Sequence, residues 1–257
     1  MADSSTDDAE RFERLSINYF DDSTVDAETE VTSIVYQMQD GSAPIVIEHA
    51  PKRGLAFKVW NASCVLARHL EVCGKDFRDK RTIELGAGVG LAGIAMSRLG
   101  ANVLLTDLAS VVPLLEKNVS ANCTGNVAAY CWGDDASALS PPFDYIIGAD
   151  IIYNEDIFEP LLKALLLLMD EHSVAIISYV SRWKRTNRFF RMLRKHFDCA
   201  IAPEEVVPQE ILPHAMCEKG ERAIIYYITR RAAGKTRKRM IPRRQQQSTV
   251  PSTHHIG

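Results

Sequence analysis

Within residues 81 to 108, RTIELGAGVGLAGIAMSRLGANVLLTDL, glycines stand at the alternate positions Gly86, Gly88 and Gly90. One carboxylate, Glu84, precedes them, and a second, Asp107, follows Gly86 by 21 residues. Glycines at such spacing remove the β-carbons that would keep a ligand away from a backbone turn. A carboxylate ending the next strand can accept two hydrogen bonds from neighbouring hydroxyls, as a ribose presents them. Further on, FDYIIGADIIY closes a run of apolar and small residues on Asp150, and Tyr153 follows three positions later. An acid and a phenol at the mouth of a buried strand can orient a nucleophile. An acid left there without a role would lose solvation uncompensated.

The glycine spacing discriminates between ribose cofactors. A dinucleotide fingerprint, G-x-G-x-x-G, would put its third glycine where Leu91 stands. Glu84 adds negative charge before the turn, which suits a cationic ligand better than a pyrophosphate. S-adenosylmethionine combines such a ribose with a sulfonium and an α-ammonium group, and it is the cofactor expected here. The plainer alternative is a tight strand-to-helix turn whose glycines, with Ala87 between them, serve backbone geometry alone.

These residues need a scaffold that gathers strand ends. VTSIVYQMQD and APIVIEHA read as a hairpin turning at DGS, and LAFKVWNASCVLARHLEVCG as a helix ended by Gly74. Strands and helices then alternate: RTIEL, a helix closed by Gly100, NVLLTD, and a helix with Pro113 in its first turn. NVAAYCW and FDYIIGADIIY follow as strands, then a helix opened by Asn154 and two acids, the strand SVAIISYV and the basic helix KRTNRFFRMLRKHF. CAIAPEEV and RAIIYYITR are expected to pair antiparallel at the sheet edge. Strands without polar alternation, separated by helices, imply an α/β fold: one doubly wound, mostly parallel sheet covered on both faces.

Hydrophobic residues make up 46% of the 257 and charged residues 25%, the balance of a soluble domain with a substantial core. No run of about 18 apolar residues occurs, so no membrane span is expected, and the first residues lack the pattern of a secretory signal. Residues 1–30 hold ten acidic and two basic side chains, whereas residues 230–257 hold eight basic and no acidic ones. Both ends have the composition of disordered segments around a single domain at 31–230. The tail from 231 suits nucleic acid, an acidic partner, nuclear import or plain solvation. The six cysteines form no C-x-x-C pair and read as buried free thiols. His254 and His255 lack a second ligand pair, so no metal is expected.

The motif set ELGAGVGLAGI, VLLTDL, CWG and GADIIY resembles that of the seven-β-strand protein-lysine methyltransferases of the methyltransferase-like group, a D-x-x-Y motif family. The resemblance covers residues 57–180 well and weakens towards 230. It implies a Rossmann-like methyltransferase fold of seven strands with an N-terminal hairpin and helix. It also implies cofactor contacts from Trp60, Gly86, Ala87, Gly88, Asp107, Trp132 and Ala149, with Asp150 and Tyr153 facing the acceptor amine. From the residues alone, Trp60 and Trp132 suit core packing as well as ligand contact, and Tyr153 could serve only to pack its ring. The implied substrate is a protein of the chaperone, AAA ATPase or translation factor class; a monomer that meets it transiently is the default expectation, in the cytoplasm, with the nucleus admitted by the basic tail. Competing readings are a nucleic-acid or small-molecule methyltransferase and a cofactor-binding scaffold. Nucleic-acid amino-methyltransferases typically follow the strand-end residue with two prolines and an aromatic, where this chain has Ile151 and Ile152 before Tyr153.

Overall fold

A computed structural model describes residues 31–180, 184–203 and 222–231. The acidic segment 1–30, residues 181–183, the stretch 204–221 with Cys217, and the basic tail beyond Arg231 lie outside the described residues. Strands β1 (Thr32–Tyr36) and β2 (Ile45–His49) form the antiparallel hairpin, with Val35 opposite Val46. Gly41 turns it at a φ of 76°, and Asp40 accepts from Ser42 N at 2.9 Å.

Helix α1 (Asn61–Val72) starts six residues later than the apolar spacing predicts. The intervening Leu55–Phe57 is a single 3₁₀ turn, and Lys58 and Trp60 are extended. The Phe57 carbonyl accepts from Ala50 N at 2.9 Å, which takes it out of any helical ladder. Phe57 and Trp60 thus carry helix-like spacing without a helix.

From there the chain winds as expected. Strand β3 (Arg81–Leu85) leads to α2 (Leu91–Arg98), β4 (Asn102–Asp107) to α3 (Val112–Asn122), and β5 (Asn126–Ala129) to β6 (Tyr145–Ala149). Then come α4 (Phe158–Leu168), β7 (Val174–Val180), α5 (Asn187–Leu193), β8 (Phe197–Ile201) and β9 (Ala223–Arg230). The seven-stranded sheet has the order β5-β4-β3-β6-β7-β9-β8. All neighbours are parallel except β9, which runs antiparallel to both β7 and β8.

Alternation within the central strands divides the core between the two faces. Leu105, Ile147 and Ile176 pack under the hairpin, α1, α2 and α3. Ile83, Leu85, Ile146 and Ile177 pack under α4 and α5. In α4 the buried Phe158, Leu161, Leu165 and Leu168 fall on one stripe, which seats the helix on the sheet. The helix expected from Asn154 begins instead as a 3₁₀ turn, Glu155–Ile157, and Asn154 accepts from Asp156 N as a cap at 3.2 Å. The five described cysteines are free thiols; only Cys64 is fully buried, the others being half-buried. No helix among the described residues is long and apolar enough to cross a membrane.

The chain leaves β3 towards β4 and β5, then returns to place β6 on the other side of β3. The carboxyl ends of β3 and β6 therefore flank the switch point, where an open parallel sheet forms its ligand crevice.

Candidate active site

The turn after β3 is built from left-handed residues. Gly86, Gly88 and Gly90 have φ of 61°, 56° and 93°, a region costly to residues with a β-carbon. Ala87 N donates to Thr106 O at 3.0 Å, and Gly90 N donates back to Ala87 O at 2.9 Å. Gly90 also lets helices approach: a β-carbon there would lie 2.6 Å from Leu115 Cδ1 of α3. At Gly86 the added carbon would meet Trp132 Cζ2 at 2.8 Å, and at Gly88 the Ala56 carbonyl oxygen at 2.9 Å. The turn is therefore bare so that an indole and a backbone carbonyl can close on it. That leaves a narrow backbone surface between them.

Asp107 ends β4 and is only 8% exposed. Its Oδ2 accepts from Gly88 N and its Oδ1 from Leu108 N, both at 2.7 Å. Burial raises its pKa to about 6, against the lowering effect of these two N–H donors. Each carboxylate oxygen retains a second lone pair, enough for two hydroxyls of a ribose.

Glu84 departs from the role of a charge presented to the ligand. It is 2% exposed beneath the turn, and its Oε2 accepts from Gly93 N in α2 at 2.9 Å. Burial raises its pKa to about 8; the Gly93 bond lowers it and repulsion from Asp107 adds to the rise. Gly93 is tied to this arrangement, since a β-carbon there would sit 2.3 Å from the same oxygen. Glu84 fastens the amino end of α2 to the strand that carries the turn.

Trp60 stands immediately before α1, half-buried, and its Nε1 donates to Leu55 O at 2.9 Å. The next residue, Asn61, is 3% exposed, and its Oδ1 has no hydrogen-bond donor among the described residues. An ammonium group suits such an acceptor. Trp132 follows β5 and is half-buried, its ring against Gly86.

Ala149, half-buried, ends β6, and the strand stops because Asp150 adopts a φ of 56°. Asp150 N donates to Ser178 O of β7 at 2.8 Å, and its Oδ1 lies 3.4 Å from Val180 N. Non-glycine residues in this conformation are uncommon, aspartate and asparagine being the best tolerated. Ile151 and Ile152 are buried, while Asp150 and Tyr153 remain half-buried. Ile151 Cγ2 lies 3.1 Å from the β-carbon position of Gly86, and Ile151 Cδ1 lies 2.6 Å from that of Gly148. One side chain thus packs against the turn after β3 and the end of β6 together. The D-x-x-Y spacing follows: two anchors point inward and two polar groups stay at the mouth.

The structure brings the turn, Asp107, Trp132 and the Asp150 loop to one end of the sheet, with Trp60 on the segment that roofs it. Ala56 and Asn61 were not singled out by sequence, and Ile151 was read there only as a departure from the nucleic-acid pattern. The isolated Gly148 within a strand was the signal for Ile151, since such glycines mark a close approach. Among the described residues, no group of three or more His, Cys, Asp or Glu could hold a metal ion.

A family model described as lysine methyltransferase matches residues 39–196. Protein N-lysine methyltransferase METTL21A of Mus musculus is 38% identical over 151 residues, which are 56% of this chain and 69% of that protein. EEF1A lysine methyltransferase 3 of Xenopus tropicalis is 34% identical over 183 residues, 69% of this chain and 76% of that protein. Among solved structures, the T. thermophilus 16S rRNA N2 G1207 methyltransferase, in complex with AdoMet and guanosine, is similar with a TM-score of 0.55 at 18% identity. The similarity covers 78% of this chain and 51% of that one. A TehB-like SAM-dependent methyltransferase from Corynebacterium glutamicum gives 0.50 at 18% identity, over 65% and 88%. These two share the fold.

Proposed function

Since the chain belongs to the lysine methyltransferase family and methylates protein lysine from S-adenosylmethionine, we propose that Asp150 and Tyr153 receive the substrate ε-amine. The observation that carries this reading is the left-handed Asp150 at the end of β6, joined through Ile151 to the glycine turn. The bound cofactor supplies a methyl carbon on a sulfonium leaving group. Asp107 would hold its ribose, Trp132 would offer its adenine a flat face, and Gly86, Ala87, Gly88, Ala149 and Trp60 would line its bed. Glu84 supports that bed from beneath.

A free lysine has a pKa of about 10.4, so near neutral pH only about one amine in a thousand carries the lone pair that transfer requires. Asp150 accepts a hydrogen bond from the neutral amine and aims its lone pair. The same carboxylate offsets the positive charge that develops on nitrogen, and the surplus proton leaves to water. Tyr153 flanks the aliphatic stem, and ordering the pair by proximity contributes several kcal/mol to the barrier reduction.

The substrate class we favour is a translation factor, ahead of a chaperone or an AAA ATPase. A relative 34% identical over 76% of its own length is named for EEF1A. The enzyme works as a monomer in the cytoplasm and, through the basic tail, in the nucleus, with its catalytic domain at 31–230 between an acidic segment, 1–30, and that tail. Labelled S-adenosylmethionine incubated with the protein and purified EEF1A, and separately with cell extract, tests the reading. A nuclease-resistant protein band whose label maps to lysine is the expected result. Label confined to RNA or DNA, or absent from every protein, would overturn it.

A further inference from the structure

Asn118 of α3 is 2% exposed, and its amide joins three segments of the chain. Its Oδ1 accepts from Glu48 N at 2.9 Å, and its Nδ2 donates to Glu48 O and to Val89 O, each at 2.9 Å. Both amide hydrogens are thereby engaged. The partners also fix the amide's orientation, because a flipped group would set oxygen against two carbonyls.

One helical turn on, Asn122 repeats the pairing with Val46: its Oδ1 accepts from Val46 N at 2.9 Å and its Nδ2 donates to Val46 O at 2.8 Å. Val46 and Glu48 are alternate residues of β2, whose other edge is paired with β1. The two asparagines therefore stand in for a third strand along the open edge of the hairpin.

Val89 distinguishes them. It lies between Gly88 and Gly90, both left-handed, so its carbonyl belongs to a peptide with little steric resistance to rotation. From the β4 side the turn is held at Ala87, by Thr106 O, and at Gly88, by Asp107. Asn118 holds the carbonyl end of the Val89–Gly90 peptide, whose N–H is held within the turn by Ala87 O.

We propose that Asn118 is a positioning residue for the cofactor turn, and that through it the docking of the β1–β2 hairpin sets cofactor affinity. When the hairpin lifts, Asn118 loses two of its three partners and its grip on Val89 loosens. A cofactor that steadies the turn must in return steady the hairpin, because coupling between sites is reciprocal. The inference rests on the cofactor lying along Gly86–Gly88, and it goes beyond the assignment of the amine-binding residues.

Calorimetric titration of the full chain with S-adenosylmethionine tests the proposal without any protein acceptor, so its failure is distinct from failure of the Asp150 assignment. Asn118→Ala is expected to weaken binding about five- to tenfold, while Asn122→Ala, which also frees an edge of β2, stays within about twofold. In turnover, KM for the cofactor rises in Asn118→Ala with kcat at saturation unchanged. Unaltered binding in Asn118→Ala, or an equal loss in both variants, would overturn the assignment. Should Asn118→Ala not fold, hydrogen exchange on the unaltered protein decides. Added S-adenosylmethionine is expected to slow exchange of the Glu48 amide, and an unchanged Glu48 rate beside a slowed core would refute the coupling.

Discussion

Gly88 donates its backbone N–H to the Asp107 carboxylate at 2.7 Å, so one side chain both ends β4 and braces the turn after β3. Asp107→Asn retains an oxygen for one N–H but loses the second acceptor that a ribose needs. Cofactor affinity is expected to fall about tenfold to a hundredfold, the range of a hydrogen bond to a charged group, about 1.5–3 kcal/mol. Calorimetry on the variant checks this. Binding as tight as in the unaltered protein would remove Asp107 from the site.

Acid should have a similar effect. With its pKa raised by burial to about 6, Asp107 is ionised at neutral pH and protonates as the pH falls through that value. A protonated carboxyl is no longer a double acceptor for hydroxyls. Affinity is therefore expected to be level above about pH 7 and to drop by up to tenfold per unit well below about pH 6. Titration across that range, compared with Asp107→Asn, separates this group from others, since the variant should lose the acid limb.

Glu84 acts on stability with the opposite preference. Its pKa lies above the ordinary carboxylate value, at about 8. Folding therefore favours the neutral form, and the contribution is complete below the ordinary value of 4.5 and lost progressively as the pH rises from there through about 8. Glu84→Gln keeps a neutral acceptor for Gly93 N. Without cofactor, the Gln variant is expected to melt above the unaltered protein at about pH 9, and the gap should narrow as the pH falls and close only near the ordinary glutamate value of 4.5. Parallel melting curves would refute the assignment.

At Asp150 the backbone dictates the variant. A φ of 56° is tolerated by asparagine, so Asp150→Asn preserves the loop while removing the charge. Methyl transfer is expected to slow roughly a hundredfold, within the range for a positioned acid or base, with cofactor affinity unchanged. Full transfer by Asp150→Asn would show that the carboxylate is not needed.

Gly86→Ala adds a β-carbon 2.8 Å from the Trp132 ring at a φ of 61°. The strain of the left-handed conformation alone is about 1–2 kcal/mol. The melting temperature is expected to fall and cofactor binding to weaken together, because relief of the clash moves the indole. An alanine variant with native affinity would mean that Trp132 takes no part in the site.

The winding of the sheet was legible because β6 and β7 are nearly apolar throughout, β4 carries the apolar run Val103, Leu104 and Leu105, and the elements are punctuated by Gly74, Gly100 and Pro113. The glycine turn and Asp107 were legible for a local reason, as their spacing is dictated by one strand-turn-helix-strand unit. Phe57 and Trp60 misled, since helical spacing records only which residues are buried and the Ala50–Phe57 bond bent that segment into a 3₁₀ turn. Contacts such as Ala56 over Gly88, or Asn118 on Glu48 and Val89, join segments far apart in the chain and leave no periodic trace. The ionisation of Glu84 was hidden likewise, because burial and its partner at Gly93 are set by how α2 docks.

Ile151 is wedged against both Gly86 and Gly148, and it makes donor bed and acceptor loop a single mechanical piece. β3 and β6 are also direct neighbours in the sheet, so the line of attack is inherited with the hydrophobic interior and not assembled by a moving flap. Recognition of different target proteins can then diversify on the surrounding surface while the trajectory of methyl delivery stays constant.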